Sequence, residues 1–187
     1  MAIRLNLTSL CSLFLLTVLI QSSCAERYKG ALIITGLVTF IAAYHYMRIF
    51  NSWTEAYVWS ADGGLVETGV PFNDAYRYMD WLLTVPLLLI EIILVMKLDA
   101  EETASKSMTL GASAALMIIL GYPGEQITDS SALGGRWLWW TAAMIPFVYI
   151  VYTLLIDLSA ATASETDPRI SGLIKKAQLA TVISWCT

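Results

Sequence analysis

The sequence predicts an all-α membrane protein carrying one small β-hairpin. Three observations point there. The 187 residues are 57% hydrophobic and only 14% charged, with seven tryptophans and nine tyrosines, a composition that soluble domains of this size seldom show. Apolar runs close to 20 residues recur along the chain, the length that crosses a hydrocarbon core of ~30 Å as a helix. Basic residues concentrate in alternate connections between those runs, as the positive-inside rule requires of a multi-pass protein.

Apolar runs place spans at about 5 to 24, 31 to 50, 76 to 97, 105 to 122 and 136 to 157. A sixth begins near 172, is interrupted by Lys175 and Lys176, and reaches the last residue in mid-helix, so the chain reads as a fragment or as a product lacking a C-terminal part. The first run has two readings. Arg4, the apolar stretch to Ile20 and the small residues Ser22 to Ala25 fit a secretory signal, whereas the direct lead from Glu26 to Lys29 into the next span favours a retained helix. Residues 1–25 and 26–187 are therefore treated as separate units. Between the second and third spans, Tyr57 to Ser60 and Leu65 to Thr68 flank Ala61-Asp62-Gly63-Gly64, the pattern of a hairpin with a glycine-rich turn.

Charge placement orients the spans. Arg27 and Lys29, then Lys97 and Lys106, then Arg169, Lys175 and Lys176 mark one side, while Glu55, Asp62, Glu67 and Asp74 make the long second connection acidic. The N-terminus is predicted outside in a cell membrane, with the 76–97 span running inward. A net charge of −4 without a basic patch excludes nucleic acid as a partner. Cys11, Cys24 and Cys186 have neither C-x-x-C nor histidine-linked spacing, so no metal site or disulfide framework is expected. The apolar spans exclude a soluble enzyme.

The 76–97 span holds charges where they are costly. Arg77, Asp80, Thr84, Leu88 and Glu91 fall at helical offsets of −3, 0, +4, +8 and +11 from Asp80, so they share one face. At ~1.5 Å per residue the two carboxylates sit roughly 16 Å apart along the axis. Arg77, one turn away, favours an ionised Asp80, whereas Glu91 lies among Leu87 to Ile93 with no basic neighbour, and desolvation there favours the neutral acid. One carboxylate poised to accept and one poised to donate form a directional proton relay. Thr84 is free to bond either Asp80 or the backbone of its own helix, and Pro86 introduces a kink. His45, the only histidine, lies at the depth of Asp80, where an imidazole would tune the carboxylate.

At these residues the chain resembles the microbial rhodopsins, specifically the proteorhodopsin and xanthorhodopsin-like proton pumps. The resemblance spans roughly residues 27 to 187. It rests on Tyr44-His45-Tyr46-Met47-Arg48, on Arg77 to Pro86 with Glu91, on Gly121-Tyr122-Pro123-Gly124-Glu125, and on Arg136-Trp137-Leu138-Trp139-Trp140. It implies a seven-helix bundle, here truncated within the sixth helix, that encloses retinal as a protonated Schiff base on a lysine of the seventh. It further implies that Asp80 is counterion and proton acceptor, Thr84 the middle member of the motif, Glu91 the proton donor, His45 the partner of Asp80, and Arg77 part of the release region. Trp81, Thr84, Leu88, Trp140 and Trp185 would line the retinal pocket.

The resemblance carries finer expectations. Leucine at position 88 goes with green absorption, and a tryptophan at 140, where carotenoid-binding relatives carry glycine, argues against an antenna. The Asp-Thr-Glu set implies protons rather than chloride or sodium as the transported ion, in a lipid bilayer and with room for a homo-oligomer. Lys29, Lys97, Lys106, Lys175 and Lys176 all fall in loops or at helix ends, so this chain alone is expected neither to hold retinal covalently nor to pump. The competing readings are a photosensory rhodopsin, against which Glu91 weighs, and a non-photochemical membrane fragment.

Overall fold

The computed structural model describes residues 12, 14–17, 19–20, 26–96, 98–157 and 167–186. The order is α1 (Glu26–Ala56), β1 (Tyr57–Trp59), β2 (Leu65–Glu67), α2 (Ala75–Val95), α3 (Ala100–Gln126), a 3-10 turn (Ser130–Ala132), α4 (Leu133–Tyr152), a π-turn (Thr153–Asp157) and α5 (Pro168–Cys186). Four of these helices are long and apolar enough to cross a membrane: Tyr28–Ala56, Ala75–Val95, Ala100–Gln126 and Leu133–Ile156. They match the second to fifth expected spans. Of the 5 to 24 run, the described residues are helical, and the 21 to 25 junction on which cleavage turns lies outside the described residues.

α1 reaches beyond its expected bounds at both ends, and past residue 50 its buried stripe continues with it. Ala31, Thr35, Val38, Ala42, His45, Ile49, Ser52 and Ala56 alternate steps of four and three residues, and none of them is exposed. That spacing keeps one seam against a neighbouring helix. The neighbour is α2, running antiparallel: Gly30 lies near Leu94 at one end, and Ser52 Oγ accepts from the Asn73 amide at 2.9 Å at the other. A second stripe meets the first segment, where a Cβ on Gly36 would come within 3.2 Å of Thr17 Oγ1. Phe14 packs on Phe40 with ring centroids 5.5 Å apart.

α2, α3 and α4 continue the antiparallel sequence, and glycines set how closely they approach. Gly111 lies against Pro86 and Ile90, and Gly121 against Tyr78. Gly124 is the tightest, since a Cβ there would lie 3.0 Å from Trp139 Cβ and 3.5 Å from the Arg136 carbonyl. Small residues at such crossings let backbones approach and gain van der Waals contact, the main attraction between helices in lipid. Asp129 caps the 3-10 turn, and its bonds from the Ser131 hydroxyl and amide hold its carboxyl below the usual range.

The core lies on the opposite side of α2 from Asp80. Leu89, Ile93, Leu110, Ile150 and Leu154 are fully buried, joined by Ile174 and Val182 from α5. α5 begins at Pro168, so Lys175 and Lys176 stand exposed on a formed helix rather than in a loop or at its end. The expected hairpin is present, its strands pairing Tyr57 with Glu67, Val58 with Val66 and Trp59 with Leu65. Its turn closes through Ser60 N to Gly64 O at 2.7 Å, and Gly63 supplies the φ of 80° that side chains disfavour.

Candidate functional site

α2 carries the site. Asp80 and Thr84 are buried on one face, with Glu91 and Arg77 partly buried near its two ends. Pro86 lies between them and removes one donor from the helical ladder.

At the N-terminal end of α2, Arg77 is held by two carboxylates. Its Nη2 lies 3.1 Å from Asp74 Oδ1 and also donates to Glu125 Oε1. Glu125 comes from α3, and its second oxygen accepts from the Tyr78 hydroxyl. The Tyr78 ring is wedged between Trp81, 5.4 Å away, and the edge of Tyr122, 4.9 Å away. Four of the five residues from Gly121 to Glu125 are thereby explained: Gly121 clears Tyr78, Tyr122 packs on it, Gly124 admits α4, and Glu125 closes the cluster. Read along the chain, that motif assigns Glu125 and Tyr78 no role. The available signal is an acid three residues past the 105 to 122 span, one turn from Gly121.

Asp80 stands apart from this cluster. Its Oδ1 is buried without a hydrogen-bond partner among the described residues, and Arg77 is turned toward Asp74 and Glu125 instead. The expected compensation of Asp80 by Arg77 one turn away is therefore absent from the geometry. Thr84 Oγ1 donates to the Asp80 main-chain carbonyl at 2.8 Å, the back-bonding alternative of the two open to it. His45 approaches the Tyr76 main chain, one turn before Asp80, and its Nδ1 is buried and unpartnered. No hydrogen bond joins the histidine to the carboxylate among the described residues.

Glu91 is engaged from α1. Thr35 Oγ1 lies 2.5 Å from Glu91 Oε1 and 3.1 Å from the Ala31 carbonyl. Sequence reasoning missed Thr35, because a lone helical threonine defaults to bonding its own backbone. Of the expected pocket residues, Trp81 and Trp140 are exposed and Leu88 is half-buried. Trp140 meets Trp137 edge-on at 5.5 Å. The side chain of Trp185 lies outside the described residues, as does Lys97. Lys29 pairs with Glu26, Lys106 lies 3.6 Å from Glu102, and Lys175 and Lys176 are exposed. No cluster of three or more His, Cys, Asp or Glu residues that could hold a metal occurs among the described residues.

Comparison with known proteins gives a consistent result. A family profile described as "Bacteriorhodopsin-like protein" matches residues 3–187. The green-light absorbing proteorhodopsin of Gamma-proteobacterium EBAC31A08 is 26% identical over 86% of this chain and 57% of its own length. Archaerhodopsin-2 of Halobacterium sp. (strain aus-2) is 34% identical over 72% of this chain and 47% of its own. The chain thus spans about half the length of these curated relatives. Among solved structures, xanthorhodopsin, described as a light-driven ion pump with dual chromophore, superposes with a TM-score of 0.91 at 41% identity. A thermophilic rhodopsin gives 0.90 at 44%. Each comparison covers 98% of this chain and 72% of the other.

Proposed function

The chain belongs to the bacteriorhodopsin-like family, and from that membership we propose that it forms the proton-handling part of a light-driven pump that moves protons outward across the cell membrane. The family consists of light-driven ion transporters that bind retinal, and the four apolar helices make this chain a multi-pass membrane protein. The finer assignments are our reading.

The observation that carries it is the pairing of two unlike carboxylates on one face of α2. Asp80 presents a buried oxygen with no hydrogen-bond partner among the described residues. An isolated carboxylate in low dielectric calls for a cation, and a retinal Schiff base fits that need, with Asp80 as counterion and Trp81, Thr84 and Leu88 beside it. Retinal, when bound as a protonated Schiff base, would supply a proton that light makes mobile. Asp80 would be the group placed to accept it, and Glu91 the group placed to restore it from the other end of the face. Thr35 supports the donor role by hydrogen-bond arithmetic. A hydroxyl has one proton to give, and both of its contacts are satisfied when Glu91 is protonated, donates to Thr35 Oγ1, and leaves Thr35 to donate to the Ala31 carbonyl.

On this reading the lysine that bears retinal belongs to the part of the relatives' length that residues 1–187 do not span. By the resemblance, Trp140 takes the position where carotenoid-binding relatives carry glycine, so the dual chromophore of xanthorhodopsin is not carried over to this reading. The test expresses a retinal-loaded protein, extended to the length of the relatives, in cells and follows external pH in light. Acidification abolished by an uncoupler and by Asp80→Asn, and slowed by Glu91→Gln, is expected. Alkalinisation, or an unchanged response in Asp80→Asn, would refute it.

A further inference from the structure

The hairpin is the one element of the described chain that the proton-handling face does not explain. Both of its faces carry exposed apolar side chains: Trp59 is 72% and Leu65 45% exposed on the face they share with Tyr57 and Glu67, and Val58 and Val66 are each 49% exposed on the other. A ribbon laid over its own bundle would hide one face. Neither face is hidden by the described residues.

Its depth follows from the seam between α1 and α2. The 21 residues of α2 measure about 32 Å, close to a hydrocarbon core of ~30 Å, whereas the 31 residues of α1 measure about 46 Å. Ser52 bonds Asn73, two residues before α2 begins, so Ser52 marks the level at which the core ends. Ala56 is one turn further, about 6 Å beyond that level. The headgroup layer is roughly 5–8 Å thick on each side. The strands leave α1 inside it, and Thr68 fastens their far end there by donating its amide to the Ala56 carbonyl at 2.9 Å.

Composition fits that layer. Trp53 stacks toward Tyr57 at 5.9 Å, and Trp59 follows on the same strand. Tryptophan and tyrosine favour the membrane–water boundary. Residues 49–76 contain no lysine or arginine but do contain Glu55, Asp62, Glu67 and Asp74, so attraction to anionic lipid plays no part.

We propose that the β1–β2 hairpin is a membrane anchor seated in the headgroup layer of the leaflet at which α1 ends, held by apolar and aromatic contact with zwitterionic lipid. Nitroxide labels test it in the full chain, with Cys11, Cys24 and Cys186 replaced by serine, in phosphatidylcholine nanodiscs. Leu65→Cys and Val66→Cys sample the two faces, and Asp62→Cys at the turn serves as the reference. Labels at 65 and 66 are expected to meet oxygen several-fold more, relative to a nickel chelate, than the label at 62. Equal behaviour at all three sites would mean the hairpin stands in water. Shielding of 65 and 66 from both reagents would mean that protein covers it, from a second copy or from further chain. Either result overturns the proposal. Trp59→Phe in bilayers of brominated lipid gives a second reading: the quenchable tryptophan emission should fall, and an unchanged fraction contradicts the anchor.

Discussion

Glu125 is the residue whose removal the structure makes most informative. It accepts from both Arg77 and Tyr78, joining α3 to α2 where no other ion pair among the described residues does so. Hydrogen bonds to charged groups contribute about 1.5–3 kcal/mol when shielded. The Arg77 and Glu125 side chains are 40% and 34% exposed, so solvent screening reduces each bond to about 1 kcal/mol. Glu125→Ala should then cost about 2 kcal/mol, and Glu125→Gln, which keeps an acceptor but no charge, about half of that. Tyr78→Phe alone should cost about 1 kcal/mol. The decisive quantity is the coupling in the double mutant, expected at about 1 kcal/mol because both substitutions delete the same bond. Reversible unfolding of the chain by SDS in mixed micelles measures all four. Additivity within about 0.3 kcal/mol would show that Tyr78 and Glu125 do not interact, and the cluster would have to be abandoned.

Further outcomes follow from other contacts. Gly124→Ala places a methyl 3.0 Å from Trp139 Cβ and should destabilise by about 1–3 kcal/mol, read in the same unfolding assay. Thr35→Val should slow the recovery of the retinal-loaded, extended protein between flashes, while Thr35→Ser restores it; equal rates in both variants would remove Thr35 from the relay. Leu88→Gln should move the visible absorption of that protein toward the blue, and an unmoved band would detach position 88 from the pocket.

The spans were legible because an apolar run of 20 residues has one outcome in lipid, and the hairpin because Asp62-Gly63-Gly64 specifies its turn. Helical phase alone put Asp80, Thr84 and Glu91 on one face. What stayed hidden depended on contacts distant in sequence. Glu125 meets Arg77 across 48 residues and Glu91 meets Thr35 across 56, and no local pattern encodes either. The reach of α1 past its apolar run was also hidden, since Glu26, Lys29 and Glu55 interrupt hydropathy without breaking the helix. Position along the chain put His45 at the depth of Asp80. It did not reveal that the ring meets the Tyr76 main chain one turn earlier.

The buried stripe of α1 acts as a ruler. Its three polar members each grip α2 or the approach to it: Thr35 at Glu91, His45 at the Tyr76 main chain, Ser52 at the Asn73 amide. The interval from Thr35 to His45 spans ten residues, about 15 Å of rise, and fixes the levels at which these two side chains meet α2. Adding or deleting one residue in that interval would leave one grip in place and turn the other by about 100°. Between those two positions the chain can exchange side chains, but it cannot change its count.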